Sequence, residues 1–163
     1  MVGGEKSAVD EMRPLLDVYS KDVQNMGKPG SGQFTKAANQ ILIATTMVGL
    51  CESLLFAQKA GLDHNQMINL LGKGAAGSFS LTALGPRMLR RDFEPGFYVE
   101  HFVKDLGIVL DESKRMGVSV PGTAQAAQLY HALMAQGGAR MGTQGLLTVL
   151  ENMNNMQVSK YDI

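Results

Sequence analysis

Lys36, Asn39 and Gln40 stand at i, i+3 and i+4 in a stretch with no proline and few charges. On a helix that spacing puts an ammonium and two carboxamides on one face. The surrounding residues are apolar, so the three polar groups need partners or a ligand. A lysine so placed can hold or give up a proton, as general acid/base chemistry on a hydroxyl or carbonyl requires. The same spacing also describes a lysine snorkelling from a helix start with its amides at the surface. Taken alone, that arrangement is the commoner one.

His101, Lys104 and Asp105 repeat the i, i+3, i+4 spacing. They read as a solvated helix face with a local ion pair, and Glu100 and Lys104 stand in the favourable order for one. His64 has polar neighbours and is expected to be exposed, while His131, beside Tyr130, reads as a structural helix residue. The three histidines lack metal-ligand spacing with one another or with Cys51, so no metal site is expected. Cys51 has apolar neighbours and nothing beside it in sequence to activate a thiolate, so it reads as core.

Several helices must position these groups. The stretch 32–60 reads as one long helix with apolar or small residues on every face, which predicts a central helix surrounded by others. Ser31 is placed to cap its start and Gly61 to end it. Asp63 can cap a helix running to Leu71, and a glycine-rich loop follows over 72–77. Ser78 or Ser80 opens a further helix, interrupted at Gly85 and Pro86 and ending near Arg91. A turn over 92–97 leads into an amphipathic helix from Tyr98 to Met116, and further helices are expected over 121–136 and 143–152. The fold class predicted for this body is all-α, with roughly six helices around a long central one.

Residues 1–27 read differently. Met1 to Gly4 resembles a strand end, 6–19 has helical spacing with Pro14 inside it as a kink or restart, and 20–26 reads as a short strand with Val23 and Met26 inward. Strand, helix and strand suggest the tail of an α/β domain. Gly27-Lys28-Pro29-Gly30-Ser31-Gly32 marks a boundary, giving 1–27 and 28–163 as the two parts. These glycines are not the dinucleotide fingerprint, because an apolar helix rather than a βαβ unit follows them. The segment 152–163 is polar and carries no readable signal.

Composition narrows the function classes. The chain has 163 residues, with 15 basic and 15 acidic side chains, 45% hydrophobic and 18% charged residues, and one cysteine. The low charge and high apolar content argue against disorder. Zero net charge removes the footprint of a general nucleic-acid binder. One cysteine allows no disulfide within the chain and suits a reducing, cytoplasmic setting. The opening residues are charged and show no signal-peptide pattern. The most apolar stretch, 41–57, reads as too short and too polar at its ends to cross a membrane. The eleven methionines, spread over several helices, suggest adaptable core packing.

The run from Gly27 to Gln40 resembles the G-x-x-G-x-G-x-x-x-K-x-x-N motif of the β-hydroxyacid dehydrogenases. That family includes 3-hydroxyisobutyrate dehydrogenase and tartronate semialdehyde reductase. The likeness extends over Glu52 to Asp63, Asp92 to Phe97, and Lys104-Asp105-Leu106, and to Met1–Gly4 and Arg13–Leu16. It implies an all-α C-terminal domain like that of 6-phosphogluconate dehydrogenase, preceded by the last elements of a Rossmann domain. It also implies Lys36 as catalytic acid/base, Asn39, Gln40 and Ser78 at the substrate, and Lys104 and Phe97 at the cofactor, which would be NAD or NADP. Many family members carry Asn where this chain has Gln40. The implied substrate is a small hydroxy acid or semialdehyde, hydride passing to or from nicotinamide, and the implied assembly a homo-oligomer, dimer or tetramer. Without the nucleotide domain the chain is expected to be inactive. A non-catalytic helical dimerisation scaffold of the same fold is the alternative.

Overall fold

α2 (Ser31–Ala60) is the axis on which the other helices are arranged. The structure is a computed structural model and describes residues 1–158. Thirty residues without proline, with Ala, Leu and Gln recurring along them, favour a single uninterrupted helix of about 45 Å. Its last turn closes at Gly61, whose φ of 72° lets its N–H reach the Ala57 and Gln58 carbonyls. The first residue in the cap position is Gly30 rather than Ser31. Ser31 is already helical, and no side-chain hydrogen bond caps this end.

Length and composition alone would let α2 cross a bilayer, contrary to the expectation that its apolar run is too short. Its burial explains the apolar sequence instead. Ala44, Met47, Cys51, Leu54 and Ala57 are fully buried, and α2 packs against α5 (Val99–Met116), α6 (Pro121–Ala135) and α7 (Leu146–Met153). The helix is not covered all round, however. Ala38, Leu42, Thr45, Gly49, Ser53 and Phe56 recur at helical spacing on an exposed face, with Leu42 68% and Phe56 74% exposed. The helices that follow α2 stack on its other side.

The core beneath α2 joins α5, α6 and α7 through Phe102, Leu106, Tyr130, Leu133, Leu146 and Leu147. Phe102 and Tyr130 meet edge to face with centroids 4.9 Å apart. The Tyr130 hydroxyl donates to the Thr143 carbonyl at 2.9 Å, which satisfies the one polar atom this aromatic carries into the core. Full burial of side chains this size stabilises the fold by roughly 1.5–3 kcal/mol each.

α3 (His64–Leu71) starts as expected, with the Asp63 side chain accepting from the Gln66 N–H at 2.8 Å. His64 itself is buried, not exposed, and its Nε2 donates to the Leu54 carbonyl at 3.0 Å. Polar sequence neighbours concealed this, because the acceptor belongs to the preceding helix. His131 lies exposed on α6. The segment after the glycine-rich turn is a π-helical turn over Ser80–Leu84 that runs directly into α4 (Gly85–Leu89). The last helix is a 3₁₀ turn, Thr143–Gly145, followed by α7.

At the other end, α1 (Lys6–Tyr19) runs unbroken through Pro14. The segments either side of it are too short to form strands. They run parallel, joined by a bridge between Val2 and Asn25, with Val2 N–H on Gln24 O and Met26 N–H on Val2 O. Val23 is buried as expected, but Met26 is 44% exposed. Only Val9 of α1 is buried, and Met12, Leu15, Val18 and Tyr19 stay exposed. Gly3 and Gly32 bring this unit onto the head of α2. A Cβ on Gly3 would lie 2.8 Å from Gly32 N, so a larger side chain would force the two backbones apart. Residues 154–158 turn back on α7, where buried Glu151 accepts from Val158 N–H at 2.8 Å and from Arg91 at 2.6 Å. The rest of the polar C-terminal segment lies outside the described residues.

Candidate active site

The second and third turns of α2 place Lys36, Asn39 and Gln40 on one face, as their spacing predicts. Lys36 Nζ and Asn39 Nδ2 both donate to Gln40 Oε1 at 3.0 Å. Gln40 Nε2 donates in turn to Asp105 Oδ2 on α5 at 2.8 Å. The other Asp105 oxygen pairs with Lys104 Nζ at 2.9 Å. One chain of polar contacts therefore links Lys36 to Lys104 across two helices, and it unites the two clusters that the sequence offered separately. The local pair expected between Glu100 and Lys104 is replaced. Glu100 accepts from Arg140 at 2.7 Å instead, and Lys104 takes the adjacent Asp105.

Among the described residues, Lys36 lines three of the larger cavities. One of about 640 Å³ is shared with Asn39, Thr46, Ser78, Phe97 and Gln144. A second, of about 370 Å³, lies between α2 and α5 beside Asp105 and Arg115, and a third, of about 440 Å³, lies against Gly3 and Gly30 at the helix head. The volumes of all three fall in the range of small-molecule sites. A larger hollow of about 780 Å³ lies elsewhere, on the outer face of α2 and α3 around Gly49, Phe56, Leu62 and Leu70. Among the described residues it gathers no cation and no cluster of hydrogen-bond donors.

The walls of the Lys36 cavity are held by the turns around it. Phe97 lies with its ring centroid 5.7 Å from Lys36 Nζ, within reach of a cation–π attraction, and is braced edge-on by Phe102. Ser78 Oγ accepts from Leu81 N–H at 3.1 Å, which opens the π-helical turn and leaves its hydroxyl proton available to an acceptor in the cavity. Arg87 grips Asp92 with two parallel hydrogen bonds of 2.7 and 2.8 Å and adds a third to the Glu94 carbonyl. These bonds, with the Glu94 N–H, hold the Asp92 carboxyl at about 2, below its ordinary 3.8, and the same pairing raises Arg87. Buried Gln144 donates to the carbonyls of Asp92 and Glu94 from the far side.

All six residues singled out from the sequence can now be located. Lys36, Asn39, Gln40, Ser78 and Phe97 line one cavity, and Lys104 joins them through Asp105 with its own side chain 66% exposed. Gln40 is 1% exposed, and its amide atoms meet Lys36, Asn39 and Asp105. Sequence reading missed Arg87 and Gln144, whose bonds shape the turn over 92–97. Gln144 gave no local signal, since its acceptors lie about fifty residues away. Burial pushes the Cys51 thiol well up, with Glu151 and Glu52 adding to the effect, so this residue stays a core thiol. Among the described residues no three His, Cys, Asp or Glu side chains converge as a metal site needs.

With the geometry established, comparison with known proteins gives consistent matches. The sequence model described as NAD-binding of NADP-dependent 3-hydroxyisobutyrate dehydrogenase matches residues 30–150. A probable 3-hydroxyisobutyrate dehydrogenase-like 1, mitochondrial, from Arabidopsis thaliana is 52% identical over 98% of this chain and 48% of its own length. The 2-hydroxy-3-oxopropionate reductase of Escherichia coli K12 is 35% identical over 98% of this chain and 54% of its own. Among solved structures, the 3-hydroxyisobutyrate dehydrogenase of Mycobacterium tuberculosis with L-serine superimposes with a TM-score of 0.85 at 25% identity. That match covers 92% of this chain and 54% of the solved one. The chain thus spans about half the length of the curated relatives it matches.

Proposed function

The chain belongs to the 3-hydroxyisobutyrate dehydrogenase family, and from that premise we propose that it is the helical part of an NAD(P)-dependent oxidoreductase acting on a small hydroxy acid or semialdehyde, with Lys36 as its acid and base. In this reading residues 1–27 end a dinucleotide-binding domain and 28–163 form the substrate and dimerisation domain. The observation that carries it is the placing of Lys36: one ammonium, anchored by Gln40, at the meeting point of three cavities.

The residues present fit part of the cofactor. Two ammoniums linked through Gln40 and Asp105, and the half-exposed ring of Phe97 beside them, match the anionic and aromatic chemistry of a nicotinamide dinucleotide. The described residues provide no strand leading into a glycine-rich turn and helix, so the pyrophosphate cradle falls to the domain proposed upstream. Lys104 and Phe97 are the residues of this chain that would hold the cofactor. When bound, the nicotinamide supplies or receives the hydride.

Lys36 handles the proton that accompanies it. In reduction the ammonium gives a proton to the carbonyl oxygen as that atom becomes a hydroxyl. In oxidation the amine takes the hydroxyl proton. The same charge stabilises the negative oxygen that develops between these states. Asn39, on the same face, and the Ser78 hydroxyl orient the substrate. A second copy of the chain covers the exposed stripe of α2, where Leu42 and Phe56 stand to either side of Gly49. A cytoplasmic setting completes the proposal and suits the single buried thiol.

The test is a panel of small hydroxy acids and semialdehydes against the full-length protein with NAD and NADP. Turnover of at least one member is expected, and none by residues 1–163 alone. A rate from the isolated chain, or no rate with any pair, would contradict the proposal.

A further inference from the structure

Gln40 is almost wholly buried, yet both ends of its carboxamide are engaged. Lys36 offers only donors, so the atom facing it must be Oε1. An ionised Asp105 offers only acceptors, so the atom facing it must be Nε2. The amide therefore has one allowed orientation, and Asp105 is what enforces it. Both oxygens of Asp105 are occupied, one by Gln40 and one by Lys104, and its side chain is 17% exposed. A glutamine is one methylene longer than the asparagine common at this place in the family that the motif resembles. Here that length spans from α2 to α5, residues 65 positions apart.

We propose that Gln40 and Asp105 are a positioning relay: Asp105 fixes the Gln40 amide, and the amide fixes the Lys36 ammonium against the cavity, so that Asp105 acts on the reaction at one remove without touching substrate. The proposal rests on the reading of Lys36 as acid and base. Lysine is a charge on a flexible four-carbon stem, and an acceptor held from another element restricts where its head rests. Gln40 is that acceptor, and it is itself held from α5. Gln40 is then a residue of orientation, leaving Asn39 and Ser78 to meet the substrate.

A double-mutant cycle in the full-length enzyme tests this. Asp105→Ala and Gln40→Met should each lower kcat about tenfold, with KM within about twofold of the parent. In the Gln40→Met background Asp105→Ala should cost no further loss of kcat, since the path to Lys36 is already cut. An equal loss in both backgrounds, or a rise in KM with unchanged kcat, would overturn the relay. Should Gln40→Met fail to fold, Gln40→Asn takes its place with the same expectation. A readout independent of turnover is the side-chain amide NMR signal of Gln40. It should shift and lose exchange protection in Asp105→Ala, and an unchanged signal would also overturn the relay. Lys36→Ala, assayed alongside, separates the two readings. Near-parental turnover there removes the acid/base role itself, whereas lost turnover there with an additive cycle removes only the relay.

Discussion

Lys36 and Cys51 lie four turns apart on one helix and illustrate how surroundings decide chemical role. Lys36 stands at the helix head, beside open cavities and a fixed acceptor. Cys51 stands mid-helix with no exposure, and burial next to Glu151 and Glu52 pushes its thiol up, away from the thiolate. Cys51→Ser should leave kcat per folded molecule unchanged and lower stability by roughly 1–3 kcal/mol, because a hydroxyl is costlier than a thiol to strip of water. Steady-state kinetics with a denaturant melt would check both, and a fall in kcat without a fall in stability would show a chemical role for the thiol. The helical face of Lys36, Asn39 and Gln40 was legible from spacing alone. The bond from Gln40 to Asp105 was not, because period-3.6 reasoning sees neighbours on one helix and these residues meet across two. His64 was misread for the same reason, its acceptor being the Leu54 carbonyl on α2.

At the scale of elements, ends were easier to read than contacts. Asp63, Gly61, Gly117 and Pro121 each start or stop a helix where their chemistry says they should. The π-helical turn at Ser80–Leu84 was beyond reach, because its composition suits an ordinary helix and its wide turn is set by packing. The turn after α4 is tied by Arg87 and Asp92, and it forms the cavity wall that carries Phe97. Its pH response has a definite sign. The Asp92 carboxyl is depressed from 3.8 to about 2 in the fold, chiefly by its hydrogen bonds to Arg87. The stabilisation from that pair is therefore present above the unfolded value and is lost as pH falls through the folded one. Asp92→Asn should flatten the decline in stability between about pH 4 and pH 2, and identical acid-unfolding curves for the two proteins would contradict that.

For the whole molecule, the α-helical class and the long axis followed from composition, since a proline-free run of apolar residues 30 long needs cover from other helices. The face of α2 left open was not legible, because a helix apolar all round gives no sign of which neighbours come from its own chain. Gly49 sits at the centre of that face, and an added Cβ there would meet nothing within 4 Å. The described residues give it no packing reason, while a glycine inside a helix costs about 1 kcal/mol relative to alanine. With a second copy proposed on this face, Leu42→Glu with Phe56→Glu should leave the full-length protein monomeric in sedimentation, and an assembly unchanged from the parent would move the interface elsewhere. The exposed outer side of α1, with Met12, Leu15, Val18 and Tyr19, is where the domain proposed upstream would pack.

The proposed reaction turns on Lys36 exchanging the proton with the substrate oxygen. The most direct measurement is kcat of Lys36→Ala in the full-length protein with its best substrate and cofactor, beside a circular dichroism melt. A fall of about 10²–10⁴-fold with the melt preserved is expected. A kcat within a few-fold of the parent, in a folded protein, would contradict it.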